Sequence, residues 1–253
     1  MIPGPVVVTG GGRGIGAATV RRLVAAGRPV CFGYRSDAAA ADALVAELGA
    51  GAGGRAPEVL GVRCDLATEA GVLALFEACD AGLGTPTALV NNAGTVAPRS
   101  DVADMDASRI ERVLALNVTG AFLCCREAVR RMSTARGGAG GVIVNVSSVA
   151  ATVGSAHEYV DYAASKAALD TLTRGLALEV AAEGIRVAGV RPGIVDTDIH
   201  ASGGQPDRVA RVAPLVPMAR AGTADEIAAA ILWLLSDEAG YVTGTSIDVS
   251  GGR

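Results

Sequence analysis

The residues of this 253-residue chain best suited to chemistry are a tyrosine and a lysine four positions apart, Tyr162 and Lys166, in the stretch YAASKAAL. Lys166 is the one lysine among 22 basic residues, and the other 21 are arginine. Residues i and i+4 share a helix face, so the phenol and the ammonium are expected to project together. A nearby ammonium favours the phenolate, so the pair predicts a phenol of lowered pKa that acts as a general acid/base. An ordinary exposed lysine is the alternative, which the use of arginine everywhere else disfavours.

Polar residues upstream are candidates to complete this site. The stretch GGVIVNVSS, residues 140–148, is typical of an apolar strand that ends in two serines. The hydroxyl of Ser148 could bond a reacting carbonyl oxygen beside Tyr162, although a serine pair at a strand end is also an ordinary turn. Asn117 interrupts a helical pattern, where it either bonds the helix backbone or holds a water that feeds protons to the lysine. Tyr159 has no cation four residues on, so we interpret it as pocket wall or core.

A glycine-rich turn, VVVTGGGRGIG at residues 6–16, joins an apolar strand to a helix. Glycine lets the backbone approach a pyrophosphate, and the free N–H groups at the helix start favour an anion. A tight turn without a ligand is the alternative, but the strand–turn–helix setting favours dinucleotide binding, and the Gly-Lys-Ser/Thr of a P-loop is absent. The residues expected to contact the cofactor here are Gly10, Gly12, Arg13, Gly14, Ile15 and Gly16.

The end of the second strand, in VCFGYRSD at residues 30–37, bears on which dinucleotide is bound. An acid at this strand end holds the ribose 2′-hydroxyl of NAD, whereas an arginine accommodates the 2′-phosphate of NADP. The strand-end position is Tyr34, followed by Arg35, and Arg13 lies within the glycine turn. Asp37 stands too far along and is expected to cap the next helix. The two guanidinium groups favour NADP(H) over NAD(H), with ordinary surface charges as the alternative.

Alternating strands and helices must position these residues. Short β-branched runs, several apolar throughout, predict strands buried on both faces of a parallel sheet, with helices between them. The alternation predicts an α/β fold, a Rossmann-type doubly wound parallel sheet of about seven strands flanked by helices. The predicted strands are Pro5–Thr9, Pro29–Gly33, Val59–Cys64, Ala88–Asn91, Gly141–Ser147, Ile185–Arg191 and Ser246–Val249. The predicted helices are Ile15–Ala26, Ala38–Leu48, Glu69–Ala81, Ala107–Met132, Tyr159–Glu183 and Ala224–Ser236.

A long irregular segment at residues 196–221, containing Gly and Pro, follows the sixth predicted strand. Because ligands of such sheets bind beyond the carboxyl ends of the strands, we interpret it as a substrate lid rather than a surface excursion. Low-complexity patches at 49–56 and 136–141 are expected to be loops. Residues 1–253 are therefore expected to form a single dinucleotide-binding catalytic domain.

Composition argues against several classes of partner. Half of the residues (50%) are hydrophobic, enough for a substantial core, and the net charge of −4 without a basic cluster disfavours nucleic acid. No run of 18 apolar residues or signal peptide is evident, so we expect no membrane partner and a cytoplasmic location. The cysteine spacing fits neither a disulfide framework nor a metal site, so we expect reduced core residues and no metal. These cysteines are Cys31, Cys64, Cys79, Cys124 and Cys125.

Motifs along the whole chain resemble those of the short-chain dehydrogenase/reductase family. They are, in order, TGGGRGIG (9–16), CDL (64–66), NNAG (91–94), LNVTGAF (116–122), VSS (146–148), YAASK (162–166), RPGIVDTD (191–198) and YVTGTSIDVSGG (241–252). The resemblance implies a catalytic tetrad of Asn117, Ser148, Tyr162 and Lys166. It also implies cofactor contacts from Asp65, Leu66, Asn92, Gly94, Tyr162, Lys166, Pro192, Ile194 and Thr197.

The resemblance implies an NADP(H)-dependent oxidoreductase (EC 1.1.1.-) that transfers hydride between the nicotinamide and a ketone, aldehyde, sugar-like carbonyl or secondary alcohol. In that reading Ser148 and Tyr162 bond the carbonyl oxygen, Lys166 lowers the Tyr162 pKa and holds the ribose, and Asn117 positions a water. It also implies homodimers or homotetramers. A non-catalytic NADP-binding sensor or assembly subunit is the first alternative, and a methyltransferase is the second; neither has a use for the Tyr–Lys pair.

Two departures from the family pattern affect these expectations. Fourteen positions separate Ser148 from Tyr162, where many members have thirteen. The extra residue is expected to bulge the loop at 149–161, and it leaves Ser147 as a rival to Ser148. Ala188 stands where similar proteins often have a structural Asn. Candidate pocket residues are Thr95, Val96, Val153, His157, Tyr159 and His200.

Overall fold

Seven parallel strands form one sheet in the computed structural model, which describes residues 3–49 and 58–253. The strand order is β3-β2-β1-β4-β5-β6-β7, and every neighbouring pair is parallel. The strands are β1 Val6–Val8, β2 Val30–Tyr34, β3 Val59–Arg63, β4 Ala88–Asn91, β5 Gly141–Val146, β6 Ile185–Pro192 and β7 Ser246–Val249. The order reverses between β1 and β4, the point where doubly wound sheets bind their ligands. The predicted Rossmann-type α/β fold is confirmed.

Helices connect successive strands and flank the sheet. Those in the described residues are α1 Gly14–Ala25, α2 Ala38–Gly49, α3 Glu69–Gly82, α4 Ala107–Leu114, α5 Ala121–Met132, α6 Ala150–Val153, α7 Val160–Val180, α8 Ile199–Ser202, α9 Arg208–Val212 and α10 Ala224–Leu235. None of them is long and apolar enough to cross a membrane.

Each face of the sheet is covered by its own apolar cluster, which explains why the strands are apolar throughout. Val6 and Val8 of β1 point to the cluster that includes Leu23 of α1, whereas Val7 points to the cluster that includes Phe76 of α3. All three valines are fully buried. This alternation along a short central strand fixes the sheet between its helices and so places the strand ends.

Two predicted helices differ in detail from the observed ones. The predicted helix 107–132 is interrupted by a π-helical turn, Ala115–Gly120, between α4 and α5. The predicted helix 159–183 begins one residue later, at Val160, and ends in a 3₁₀ turn, Ala181–Glu183.

Ala188 packs in the buried core, opposite Val144 in the sheet. The fold thus accommodates alanine at this position without a polar contact.

The cysteine and loop predictions are resolved in part. All five cysteines are buried free thiols, as expected, and no cluster of metal-ligating side chains occurs in the described parts of the chain. In the patch at 136–141, Gly137 adopts a left-handed conformation with φ of 86° after a 3₁₀ turn. Of the patch at 49–56, Gly49 ends α2, and the remaining residues lie outside the described ones.

Candidate active site

The glycine-rich turn between β1 and α1 opens onto a cleft at the carboxyl edge of the sheet. Gly10 and Gly14 have φ values of 63° and 53°, a backbone region that favours glycine. Gly16 is required for a different reason, since a Cβ there would stand 2.1 Å from the carbonyl oxygen of Gly10. Gly16 does not line the cleft but packs the helix closely on the turn, and its predicted contact with the cofactor stays a prediction.

Thr9 and Asn92 hold this turn in place. The Asn92 Nδ2 donates to the carbonyl oxygens of Thr9 and Gly10, at 2.9 and 3.1 Å. The Thr9 hydroxyl oxygen accepts hydrogen bonds from the backbone N–H groups of Asn92 and Ala93, both at 2.8 Å. These bonds tie the glycine turn to the end of β4. The first turn of α1, with its free N–H groups, is thereby aimed into the cleft as an anion site.

The cleft has a volume of about 330 Å³ and collects most of the residues that the sequence singled out. The predicted site residues that line it are Gly10, Gly12, Arg13, Gly14, Ile15, Arg35, Asp65, Leu66, Asn92, Gly94, Ser148, Tyr162, Lys166, Pro192, Ile194 and Thr197. Of the predicted pocket residues, Thr95, Val96, Val153, Tyr159 and His200 line it as well. Two predicted site residues do not, Gly16 and Asn117.

One end of the cleft carries two arginines beside the ends of β2 and β3. Arg13 and Arg35 both line the cleft and are exposed. Within the described part of the chain, neither side chain has a hydrogen bond or an ion pair with another residue. Asp37 accepts a hydrogen bond from Ala40 N at 3.0 Å, so it caps α2 as expected. Its carboxylate is thus engaged by the helix.

The two serines after β5 have different partners. The Ser147 hydroxyl donates to the carbonyl oxygen of Lys166 at 3.0 Å and is buried. The Ser148 hydroxyl oxygen accepts a hydrogen bond from Ala150 N at 3.1 Å, and its side chain lies near enough to Tyr162 to act on the pKa of that phenol. Ser147 therefore fastens β5 to α7, while Ser148 is the serine that meets the candidate tyrosine.

Tyr162 and Lys166 lie on the same face of α7, as the i, i+4 spacing predicted. The Lys166 Nζ is 5.7 Å from the centre of the Tyr162 ring and donates to the carbonyl oxygen of Val146 at 2.8 Å. Burial lowers the pKa of Lys166 to about 8, and the charge of Asp170 partly opposes this. At neutral pH the ammonium is therefore largely charged despite being buried.

The pKa of Tyr162 moves in the direction opposite to the predicted one. Burial raises it above the usual value for a phenol, while the nearby Ser148 hydroxyl and the charge of Arg208 act to lower it. Desolvation disfavours the phenolate more than these two groups favour it. The phenol is therefore neutral at physiological pH, a form suited to donating a proton.

Asn117 acts from behind the cleft wall. It lies in the π-helical turn and is 1% exposed. Its Oδ1 accepts a hydrogen bond from Thr95 N at 2.8 Å, and its Nδ2 donates to Thr95 O at 2.9 Å and to Ser165 Oγ at 3.0 Å. The side chain thus bonds neighbouring segments rather than its own helix. It fixes the stretch after β4 against α7, and its expected role in holding a water stays a prediction.

A buried ion pair supports the backbone of Tyr162. Arg109 of α4 binds Asp161 with two hydrogen bonds, at 2.8 and 3.3 Å, and their side chains are 10% and 3% exposed. The Asp161 Oδ1 also accepts from the backbone N–H of Tyr162 at 2.9 Å. The pair therefore joins α4 to the start of α7, the helix that carries the tyrosine.

We expect Arg109→Met to reduce the free energy of unfolding by about 3 kcal/mol, because it leaves the buried Asp161 carboxylate without its counter-charge. Urea unfolding followed by circular dichroism measures the change. The matched control is Arg112→Met on the same helix, an exposed arginine whose loss should change stability by less than about 0.5 kcal/mol. Equal effects of the two substitutions would contradict the importance of the pair.

The loop between Ser148 and Tyr162, which holds the additional residue, has an unusual backbone. Ser155 and His157 are non-glycine residues with positive φ, 49° and 60°, a conformation that is uncommon outside glycine. The loop directs His157 away from the cleft: its ring Nδ1 lies 2.8 Å from the Asp101 carboxylate, and the residue is exposed. The interpretation of His157 as a pocket residue was therefore wrong.

The irregular segment after β6 covers one end of the cleft. It contains α8 and α9, and His200 bonds the Val195 carbonyl oxygen at 2.9 Å through Nε2. Burial lowers the pKa of His200, so its ring is neutral at physiological pH. Arg208 also lines the cleft, and sequence reasoning missed it. No periodic pattern distinguishes this arginine from the other arginines of an irregular segment.

Together the sheet and the cleft define a Rossmann-type domain with two hydroxyl side chains and a buried ammonium in a cleft at the carboxyl edge of its sheet. Comparison with known proteins agrees. A family model described as "Enoyl-(Acyl carrier protein) reductase" matches residues 10–253. The chain belongs to the short-chain dehydrogenase/reductase family of oxidoreductases.

Three curated relatives are similar over nearly their whole length. An "Uncharacterized oxidoreductase YgfF" of Escherichia coli is 54% identical over 98% of each chain. A "3beta-hydroxysteroid dehydrogenase 1" of Eggerthella lenta is 41% identical over 98% of this chain and 92% of its own. A "Cis-4-hydroxycyclohexanecarboxylate dehydrogenase" of Sinomonas cyclohexanicum is 41% identical over 97% and 94%.

Two solved structures have the same fold. A 3-ketoacyl-(acyl-carrier-protein) reductase from Brucella melitensis, complexed with NADH, superimposes with a TM-score of 0.89 at 28% identity, over 99% of this chain and 98% of its own. A blue fluorescent protein from a metagenomic library, in complex with NADPH, gives 0.87 at 35% identity over 99% and 98%.

Proposed function

We propose that this chain is an NADP(H)-dependent oxidoreductase that interconverts a carbonyl compound and a secondary alcohol, with Tyr162 as general acid/base. The observation that carries the proposal is that Ser148 and Tyr162 line the same cleft as the glycine turn, with the Lys166 ammonium 5.7 Å from the centre of the Tyr162 ring. A hydroxyl pair of this kind suits a carbonyl oxygen that must accept a proton.

The residues of the cleft fit a nicotinamide dinucleotide. The left-handed Gly10 and Gly14 and the free end of α1 suit a pyrophosphate. A Cβ on Gly94 would stand 3.3 Å from Lys166 Nζ, so glycine keeps the space beside the ammonium open. Two relatives of the same fold are complexed with NADH and NADPH, which supports a nicotinamide cofactor here. The remaining residues proposed to hold it are Gly12, Arg13, Ile15, Arg35, Asp65, Leu66, Asn92, Tyr162, Pro192, Ile194 and Thr197.

The catalytic work of the chain itself is proton transfer and positioning. When bound, the nicotinamide supplies a hydride to a carbonyl carbon or accepts one from an alcohol carbon. Tyr162 donates its proton to the carbonyl oxygen, and Ser148 binds the same oxygen. Lys166 provides positive charge beside the phenolate that this transfer leaves, and Asn117 keeps the wall behind both side chains rigid. In the alcohol direction the same groups act in reverse.

We propose an alicyclic ketone or secondary alcohol as substrate. The cleft that holds Tyr162 also contains a group of apolar and aromatic side chains, which suits a hydrocarbon ring. Two relatives are named for steroid and hydroxycyclohexane dehydrogenation, both on ring carbons. The apolar and aromatic residues meant are Val96, Val149, Ala150, Val153 and Tyr159.

The test of the proposal is turnover of a panel of cyclic ketones with NADPH and with NADH, followed by nicotinamide absorbance. We expect reduction of at least one ketone, with NADPH preferred. The rival reading is a non-catalytic NADP-binding sensor or assembly subunit. Tight NADPH binding by calorimetry with no turnover of any ketone, aldehyde or sugar would establish that rival.

The preference for NADPH is proposed to depend on Arg13 and Arg35. Arg35→Ser is expected to lower kcat/KM for NADPH about tenfold, because a charge-assisted hydrogen bond to the 2′-phosphate is lost, and to leave the value for NADH nearly unchanged. Steady-state kinetics with both cofactors measure this. Arg174→Ser, an exposed arginine of α7 outside the cleft, is the matched control. A wild-type protein that prefers NADH would refute the assignment.

We propose further that the chain forms a cytoplasmic homodimer or homotetramer and that 1–253 is a single domain whose segment 196–221 acts as a lid. Exposed apolar side chains on α5, α7 and α10, namely Phe122, Leu178 and Trp233, support self-association. The buried free thiols fit a reducing compartment. Light scattering on the purified protein tests the assembly, and a monomer at micromolar concentration would refute it.

A further inference from the structure

Arg208 is a nearly buried cation in the wall of the cleft. It begins α9 in the segment after β6, is 8% exposed, and lines the cleft together with Ser148 and Tyr162. Lys166 and Arg208 both act on the Tyr162 end of the cleft, and Arg253 is a further arginine of the cleft lining. A buried guanidinium needs a partner of opposite charge or a full set of acceptors, so its surroundings indicate what it binds.

The partners of Arg208 account for only part of the guanidinium. Its Nη1 donates to the Glu158 carboxylate at 2.6 Å, and its central carbon lies 5.1 Å from the centre of the Tyr159 ring. Among the described residues, Nε and Nη2 have no hydrogen-bond acceptor. Guanidinium binds carboxylates through two parallel N–H groups. Glu158 and Tyr159 thus fix the plane of Arg208 while leaving two of its donor nitrogens without a protein partner.

The orientation of Arg208 is locked by the lid around it. The Tyr159 hydroxyl accepts a short hydrogen bond from Gln205 Nε2, and Gln205 Oε1 in turn accepts one from Arg211. Tyr159 and Gln205 are both buried. A rigid arginine of this kind loses little freedom when it binds a ligand, so the arrangement is pre-organised for recognition.

The charge of Arg208 reaches the reaction centre. It helps to lower the pKa of Tyr162 and, in the same direction, that of His200. Of the carboxylates that line the cleft, Asp37 and Asp65 lie at the ends of β2 and β3, whereas Asp198 lies in the segment after β6, as Arg208 does. A negatively charged ligand group at this end would therefore depend on the two donor nitrogens of Arg208 that have no protein partner among the described residues.

Resting on the proposed function, we infer that Arg208 is a specificity residue that selects substrates carrying a carboxylate in addition to the reacting carbonyl. The carboxylate pairs with the Nε and Nη2 donors of Arg208, while the carbonyl oxygen meets Ser148 and Tyr162. The substrate class is thus an alicyclic keto acid and the corresponding hydroxy acid. Glu158 holds the arginine and weakens its net attraction for the ligand.

The test compares a cyclohexanone bearing a carboxylate opposite the carbonyl with the methyl ester of the same compound. Wild-type protein is expected to favour the acid by about tenfold or more in kcat/KM, the usual effect of a charge-assisted hydrogen bond pair. Arg208→Gln should reduce this acid-to-ester ratio to near one. Arg174→Gln, which changes an exposed arginine of α7 outside the cleft, should leave the ratio unchanged.

A second variant separates recognition from a purely structural latch. Glu158→Gln retains a hydrogen-bond acceptor for Arg208 but removes the competing negative charge. If Arg208 binds the substrate carboxylate, this variant should lower KM for the keto acid about threefold while the ester responds less. If Arg208 only latches the lid to Glu158, the variant should impair acid and ester alike. That result, or a wild-type ratio near one, would overturn the inference.

Failure of the inference is distinguishable from failure of the proposed function. Turnover of neutral cyclic ketones without preference for the acid would refute the role of Arg208 alone. If no ketone is reduced, the anion site is tested by calorimetry, which compares the binding of cyclohexanecarboxylate and of cyclohexanecarboxamide to the NADP-loaded protein. Tighter binding of the carboxylate, abolished in Arg208→Gln, would retain the anion site. Equal binding of the two compounds would reject it.

Discussion

Tyr162→Phe is expected to lower kcat for ketone reduction about 1,000-fold while NADPH binding changes by less than about threefold. The substitution removes a single oxygen, the phenolic one that lies in the cleft with Ser148. Because burial keeps this phenol protonated, it is ready to donate at neutral pH. A water molecule in its place would lack both the fixed position and the neighbouring ammonium.

Tyr159→Phe is the matched control for this prediction. Tyr159 lines the same cleft three residues earlier, but its hydroxyl bonds Gln205 of the segment after β6. We expect a loss of less than about tenfold, mainly in KM, since the general acid is retained. Single-turnover kinetics with a cyclic ketone measure both variants. Similar losses in the two variants would show that Tyr162 is not the proton donor.

The sheet could be predicted because its strands are chemically distinctive. Runs such as residues 6–8 and 141–146 are apolar throughout, and helices of a different period separate them. The shared helix face of Tyr162 and Lys166 on α7 was equally predictable, since helix geometry alone places residues i and i+4 on one side. Local sequence thus determined which side chains meet wherever the backbone was regular.

The details that escaped prediction depend on contacts distant in sequence. The π-helical turn at Asn117 has the composition of an ordinary helix, and only the bonds to Thr95 and Ser165 reveal its purpose. The direction of the Tyr162 pKa depends on how deeply the phenol is buried, which spacing does not reveal. Arg208 reaches the cleft through an irregular segment whose path no periodicity predicts. Departures from regular structure at the candidate site are therefore the features that are hardest to predict from the sequence.

Lys166→Met is expected to produce a protein that is more stable and far less active. Without the ammonium, the phenolate formed by proton transfer loses its nearby positive charge, and kcat should fall about 100-fold. Stability should rise, because a lysine 3% exposed and paired with a carbonyl rather than a carboxylate carries an uncompensated desolvation penalty. Methionine has a similar length and fills the same space without a charge.

The size and pH dependence of the gain in stability follow from the lysine pKa, which falls from its ordinary 10.5 to about 8 in the folded protein. That fall corresponds to about 3 kcal/mol of destabilisation of the wild-type protein. The methionine variant escapes this penalty but loses the hydrogen bond to Val146, which is worth about 1 kcal/mol. Its free energy of unfolding should therefore be about 2 kcal/mol higher than that of the wild type. The unfolded chain binds more protons than the folded one between about pH 8 and 10.5, so wild-type stability rises with pH across that window. The advantage of the methionine variant should therefore be full below pH 8 and vanish towards pH 10.5. Urea unfolding of both proteins at equal concentration and several pH values measures this difference in stability. A variant less stable than wild type at neutral pH would show that the buried ammonium does not destabilise the fold.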